Sequence, residues 1–155
     1  MTRPEPIHRL VHATAVAIES RAVLLRGPPG AGKSDLALRL IDGGGARLIA
    51  DDQVELRRVG DQILARAPAS LAGLLEVRGI AIARVDTVDE GRLALVVDLV
   101  SSAQVERLPE SRTENLLGLA IPLIALAPFE VSAAAKLRLA LRGFVASSPP
   151  FSLGA

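Results

Sequence analysis

The chain has 155 residues, half of them apolar, with 18 basic against 17 acidic side chains and a formal net charge of +1. That suits one ordinary domain with a real core, is short for two, and is too hydrophobic for an unfolded chain. Near-neutral charge, three Phe and no Trp or Tyr argue against nucleic-acid binding, and the absence of Cys with only two His removes disulfides, thiolate catalysis and Cys-type zinc sites.

Met1 to Leu10 mixes charges with two prolines and lacks the apolar segment of a signal peptide. No apolar run reaches the roughly 18 to 20 residues of a membrane span. The expectation is a cytoplasmic protein with no membrane and no nucleic acid among its partners. Leu10 to Ile18 reads as a strand, and Glu19-Ser20-Arg21 is short enough to join it to Ala22–Arg26 as a hairpin. A loop, Gly27 to Ser34, leads into a helix to Asp42, in which Leu36, Leu38, Leu40 and Ile41 share parts of a face and which Gly43-Gly44-Gly45 stops. Ala46–Ala50 is a short strand ending in Asp51-Asp52, and Gln53–Val59 with Gln62–Ala67 makes a second hairpin around Gly60-Asp61. Pro68 to Leu75 reads as a short helix or turn, Glu76 to Val85 as one strand bent at its glycine, and Arg92 to Val100 as the next strand. Ser101 to Glu114 is a polar surface segment, Leu116 to Leu126 an edge or bulged strand broken by Pro122, and Ser132 to Arg142 a helix before a Ser/Pro-rich tail. Several strands, two main helices and at least two hairpins predict an α/β fold, a single P-loop domain over residues 1–155 with a mixed sheet.

The segment Gly27-Pro28-Pro29-Gly30-Ala31-Gly32-Lys33-Ser34 satisfies the G-x4-G-K-[ST] pattern, between a strand and an amphipathic helix. In that setting backbone amides cradle phosphates, Lys33 reaches the outer ones and Ser34 offers its hydroxyl to Mg2+. Of the 18 basic residues only Lys33 and Lys136 are Lys, and one of them stands where the motif needs it. Asp51-Asp52, at the end of the strand after the loop's helix, is expected at the carboxyl edge of the sheet beside the loop. One carboxylate can take a proton while the other holds the metal or its water; the simpler alternative is an Asx turn.

VHATAVAI, GPPGAGKS, RLIADDQVEL and LLEVRGIAIARV, in this order over Val11 to Gly143, together resemble the catalytic domain of HPr kinase/phosphorylase, which phosphorylates a serine of the phosphocarrier protein HPr. The resemblance implies the HPr kinase / PEP carboxykinase-like fold, in a shortened proteobacterial form without the usual N-terminal domain. It implies ATP and Mg2+ as cofactors, an HPr-type protein as partner and a homohexamer, for which Leu116–Leu126 offers either an interface or core filling. Residue by residue it gives His12 a place beside the phosphate loop, although Ala13 stands where a glycine usually follows. Lys33 and Ser34 keep their roles. Asp52 becomes the proton acceptor supported by Asp51, Glu76 a Mg2+ ligand, Arg78 a phosphate contact and Arg107 a stabiliser of the transferred phosphoryl group. Read without the resemblance, His12 is a packed or solvated strand residue, and Glu76 with Arg78 an ordinary surface pair. The chain departs from the family at Ala127-Pro128-Phe129-Glu130-Val131-Ser132, where a P-V-x-x-G-R-N segment linked to phosphorolysis normally lies. Without that Gly and Arg, the reverse reaction lacks a cationic anchor for inorganic phosphate. A P-loop small-molecule kinase and a non-catalytic nucleotide sensor are the competing readings; 155 residues leave little room for the first's lid, and Lys33, Ser34 and Asp52 together speak against the second.

Overall fold

The computed structural model describes residues 7–69 and 73–144. The strands are β1 (His8–His12), β2 (Thr14–Ile18), β3 (Arg21–Arg26), β4 (Ala46–Ala50), β5 (Gln53–Val59), β6 (Gln62–Arg66), β7 (Leu74–Val77), β8 (Ala81–Arg84), β9 (Glu90–Leu99), β10 (Arg112–Leu116) and β11 (Leu119–Leu126). The helices are α1 (Lys33–Asp42) and α2 (Ala133–Leu139), and α2 runs into a π-helical stretch, Ala140–Phe144. Nine strands form one mixed sheet in the order β1-β5-β6-β9-β3-β2-β4, with β11 on β9 and β10 on β11, while β7 and β8 pair separately. The mixed α/β sheet with few helices is the one the sequence predicts.

The pattern of pairing follows from how little the local sequence demands. β2 and β3 are antiparallel across Glu19-Ser20, whose positive φ values of 52° and 66° give the two-residue turn the twist the strands need. β9 is the longest strand, and its neighbour changes along its length. Glu90–Arg92 pairs antiparallel with β6, and Val96–Leu99 pairs parallel with β11, while β3 runs parallel along the other side. The sheet therefore forks at β9 and curls. Val54, Leu56 and Ile63 of the β5–β6 wing meet Ala15, Leu24, Ile49 and Val96 in one core. On the other face Leu36 and Leu40 of α1 and Leu137 of α2 cover Val16, Val23, Leu25, Leu48, Leu95 and Val97 in a second. Each fully buried Leu contributes about 2 kcal/mol by removal from water.

Several sequence-based boundaries move. Leu10 to Ile18 is two strands, because at Ala13 the chain leaves the ladder with β5 and enters the one with β3 and β4. Glu76 to Val85 is the greater part of a hairpin, β7–β8, with Arg78-Gly79-Ile80 in the turn, where an Ile80 N–H to Val77 O bond of 3.0 Å closes it. Of the expected helix or turn at 68–75, Leu74 and Leu75 belong to β7, and residues 70–72 lie outside the described residues. Ser101 to Glu114 holds one 3-10 turn (Ser102–Gln104), and its last three residues begin β10. The stretch 116–126 is the end of β10, a turn and β11, and β11 is interior, held by β10 and β9. Pro122 sits just before Leu123, where the β9 ladder starts, and Leu116, Leu117, Ile121 and Leu126 fill the core. In α1 the buried face is Leu36, Ala37 and Leu40, with Leu38 and Ile41 only partly covered. The helix ends at Gly43 in right-handed geometry, and Gly44 and Gly45 take the left-handed turn at φ 87° and 81°. Arg138 of α2 donates to the carbonyls of Leu40 and Gly44 at 2.9 and 2.8 Å, satisfying acceptors the helix end leaves over. The tail expected to be loose lies outside the described residues from 145 onward.

Parallel β3, β9 and β11, with β4 parallel to β3 through β2, bring four strand ends to one edge: Arg26, Leu99, Leu126 and Ala50. Arg26 ties this edge together. Its guanidinium donates to both oxygens of Asp98 at 2.8 and 3.1 Å and to Glu114 at 3.0 Å, joining β3, β9 and β10. These bonds hold Arg26 more firmly protonated than usual and, led by the Arg26 hydrogen bond, lower the Glu114 carboxyl below its ordinary value. Glu114 therefore stabilises the fold above its unfolded pKa of about 4.3 and stops doing so as pH falls through its lower folded value. Glu114→Gln is expected to cost about 1 kcal/mol at pH 7 in urea unfolding, a discounted figure because the pair is partly exposed, and the gap to the parent should close below about pH 4.

Candidate active site

The loop after β3 is shaped by close approach as much as by glycine's freedom. A methyl group at Gly27 would lie 2.7 Å from Ala31 Cβ and 3.4 Å from the Leu99 carbonyl, so no side chain fits there. Gly32, the residue before α1, has φ 101°, and a methyl there would meet the Phe129 ring at 3.0 and 3.2 Å. Within the loop Ala31 N–H donates to Pro28 O at 3.0 Å, and Leu36 N–H donates to Gly32 O at 2.9 Å to open the helix. Pro28, Pro29 and Gly30 are exposed, and Lys33 arches back so that its ammonium donates to Gly27 O at 2.6 Å and Pro28 O at 3.2 Å. An ammonium group, a helix N-terminus and a turn of backbone amides thus converge on one spot, an arrangement that favours anions.

Asp51 and Asp52 stand at the end of β4, on the edge the sequence assigns them. Asp51 Oδ1 accepts from Ser34 Oγ at 2.8 Å and from Thr14 Oγ1, also at 2.8 Å. The carboxylate thus serves β2 and α1, and an Asx turn does not account for it. Its second oxygen lies 3.5 Å from the Glu76 backbone N–H, at the outer limit of a hydrogen bond. Thr14 is fully buried, the one buried polar side chain among the described residues. Sequence reasoning missed it, although a lone hydroxyl in an apolar strand has to find a partner and so points to one. Asp52 is exposed, at φ 70°, in a three-residue turn closed by Gln53 N–H to Asp51 O at 2.8 Å. Positive φ on a non-glycine residue carries strain of order 1 kcal/mol or more, and here it turns the carboxylate-bearing residue out of the strand direction.

His12 is exposed at the end of β1, in register with Gln53, and the next residue bonds to the Asp52 carbonyl through Ala13 N–H at 3.2 Å. The backbone brings His12 beside Asp52. Glu76 lies on β7 next to Asp51, and Arg78 begins the exposed turn of the same hairpin. Arg107 sits in the exposed connection ahead of β10, and no hydrogen bond or ion pair among the described residues ties it to the loop. The structure so gathers Lys33, Ser34, Asp51, Asp52, His12 and Glu76 along one edge, and no hydrogen bond or ion pair among the described residues joins Arg107 to them.

No three His, Cys, Asp or Glu among the described residues group closely enough to hold a metal by themselves. The available donors are a Ser hydroxyl whose proton is committed to Asp51, leaving its lone pairs open, and the Asp51 carboxylate, with Glu76 brought alongside by its backbone. Hard oxygen donors, few in number, suit Mg2+, which keeps waters and phosphate oxygens for the rest of its shell.

The fold and this edge define an α/β domain with a glycine-rich phosphate-type loop and paired carboxylates. The chain belongs to the HPr Serine kinase C-terminal domain family, whose sequence model matches residues 7–138. It is 38% identical over 127 residues to the HPr kinase/phosphorylase of Burkholderia lata, covering 75% of this chain and 39% of that one. It is 39% identical over 113 residues to the HPr kinase/phosphorylase of Caldanaerobacter subterraneus, covering 70% and 36%. The chain therefore spans well under half the length of these curated relatives. Among solved structures, the Hpr(Ser) kinase/phosphatase from Coxiella burnetii superposes with a TM-score of 0.77 at 27% identity, over 88% of this chain and 95% of that one.

Asp51→Ala is expected to lose about 1 to 3 kcal/mol in urea unfolding, because the buried Thr14 hydroxyl is left without an acceptor. Adding Thr14→Val should return most of that loss. A double variant no more stable than the single one would show that the Thr14 bond is not what Asp51 supplies.

Proposed function

We propose that this chain is a cytoplasmic ATP- and Mg2+-dependent kinase that phosphorylates a serine of an HPr-type phosphocarrier protein. The observation that carries the reading is the Ser34 to Asp51 hydrogen bond of 2.8 Å, which sets a carboxylate pair against the glycine-rich loop. Family membership and the relatives' names support the substrate. In this reading the amides of Gly27 to Ser34 hold the triphosphate, and Lys33 exchanges its carbonyl partners for the outer phosphates. Ser34 Oγ, Asp51 and Glu76 would hold Mg2+, which supplies charge neutralisation on the phosphates when bound.

Asp52 lies at the rim, outside the Thr14–Asp51–Ser34 contact, where a serine hydroxyl can approach it. It accepts that hydroxyl's proton as the oxygen attacks the terminal phosphorus, and the bond to the bridging oxygen breaks in line. His12 stands beside Asp52 as a neighbour able to orient it or the incoming hydroxyl. Arg107 and Arg78 lie on exposed segments from which they can close on the phosphoryl group once substrate is bound. Most of the acceleration comes from positioning and from charge placed around the moving group. The reverse phosphorolysis is weak in this reading, since the segment at 127–132 brings Pro128 and Phe129, and no arginine, to the loop.

Asp52→Ala is expected to keep ATP binding within about threefold by isothermal titration while lowering the HPr phosphorylation rate by about 10^2 to 10^4. Lys33→Ala should lose ATP binding itself. Transfer at the parental rate by Asp52→Ala would remove Asp52 as the base.

A further inference from the structure

Phe129 is 72% exposed, an unfavourable place for a large apolar ring unless something covers it. The sequence has only three aromatic residues, all Phe. This one is in the connection between β11 and α2, with the tip of its ring against Gly32 of the phosphate loop. The connection is fixed in place. Arg39 of α1 donates to the carbonyls of Pro128 and, at 3.4 Å, Glu130, while Asp35 accepts from Arg39 at 3.1 Å. Glu130 pairs with Lys136 at 3.2 Å. The same helix that presents its N-terminus to phosphates so positions the ring.

The sheet order gives the direction. Along β4-β2-β3-β9-β11, the loop follows the central strand, β3. Asp51 and Asp52 follow a strand two places to one side of it, and the connection carrying Phe129 follows a strand two places to the other, so the two flank the loop on opposite sides. A triphosphate lying on the loop with its terminal group toward the carboxylates directs its remaining end toward the β9–β11 side. Most of the ring's surface is left uncovered by the described residues. Resting on the proposed phosphate-binding role of the loop, we infer that Phe129 is the stacking platform for the base of a purine nucleoside triphosphate. Stacking reads a flat π-surface and makes no hydrogen bonds, so it contributes affinity and little choice between purines.

The test compares ATP with inorganic tripolyphosphate, which has the phosphates and no base, on the purified chain with Mg2+. Phe129→Ala is expected to weaken ATP about tenfold and to leave tripolyphosphate within about twofold. Phe129→Trp should restore ATP affinity. Because the chain has no other Trp and no Tyr, emission from this variant isolates the site, and it should change with ATP and not with tripolyphosphate. Equal weakening of both ligands by Phe129→Ala would overturn the proposal and make the ring a brace for the loop. Unchanged ATP binding would overturn it too, leaving the ring free for a protein partner or a second copy. Failure of the parent chain to bind tripolyphosphate would count against the phosphate-loop reading instead.

Discussion

One carboxylate oxygen, Asp51 Oδ1, links the sheet to the glycine-rich loop. It accepts a hydroxyl from inside the fold, Thr14, and one from the first turn of α1, Ser34. Two charge-assisted bonds on one atom set the distance between β4 and the helix, and so between the carboxylates and the loop. The second Asp51 oxygen, with the weak Glu76 contact, faces the side on which β7 lies. If this atom were replaced by carbon, a buried hydroxyl would lose its acceptor and the loop its lateral support together.

The rest of the architecture serves the same edge. Parallel β3, β9 and β11 with β4 deliver four strand ends to it, and Arg26 bonded to Asp98 and Glu114 ties β3 to β9 and β10 there. Two apolar layers, one under the helices and one inside the curl, hold the sheet from both faces. That leaves the polar edge as the place where backbone amides, carboxylates and cations collect without being sealed away from solvent.

How much of this was legible depended on range. The loop, α1 and the Asp pair at a strand end are local signals, since a glycine pattern and a helical face are written within a few residues. So were the hairpins around Glu19-Ser20-Arg21 and Gly60-Asp61, although Arg21 proves to be the first residue of β3 and leaves a two-residue turn. The fork of β9 was not legible, because each half finds its partner through tertiary packing, and an apolar run such as LALVVDL fits either neighbour. The split at Ala13 and the β7–β8 hairpin were missed for the same reason: pairing, more than propensity, decides where a short strand ends. At the candidate site, spacing pointed to Lys33, Ser34 and the Asp51-Asp52 pair, which the structure sets on one edge, whereas the Thr14–Asp51 and Phe129–Gly32 contacts join residues distant in sequence and leave no local signal. Arg107 came from resemblance alone, and no hydrogen bond or ion pair among the described residues ties it to the others.

The central claim is that this edge transfers a phosphoryl group from ATP to a protein serine. Its most direct test is to incubate the purified chain with Mg2+, ATP labelled at the terminal phosphate and the HPr-type protein of the same organism, and to locate the label by mass spectrometry. Stoichiometric phosphoserine on the HPr-type protein is the result the account requires. ATP bound and HPr left unmodified, under conditions where the chain is folded, would contradict it.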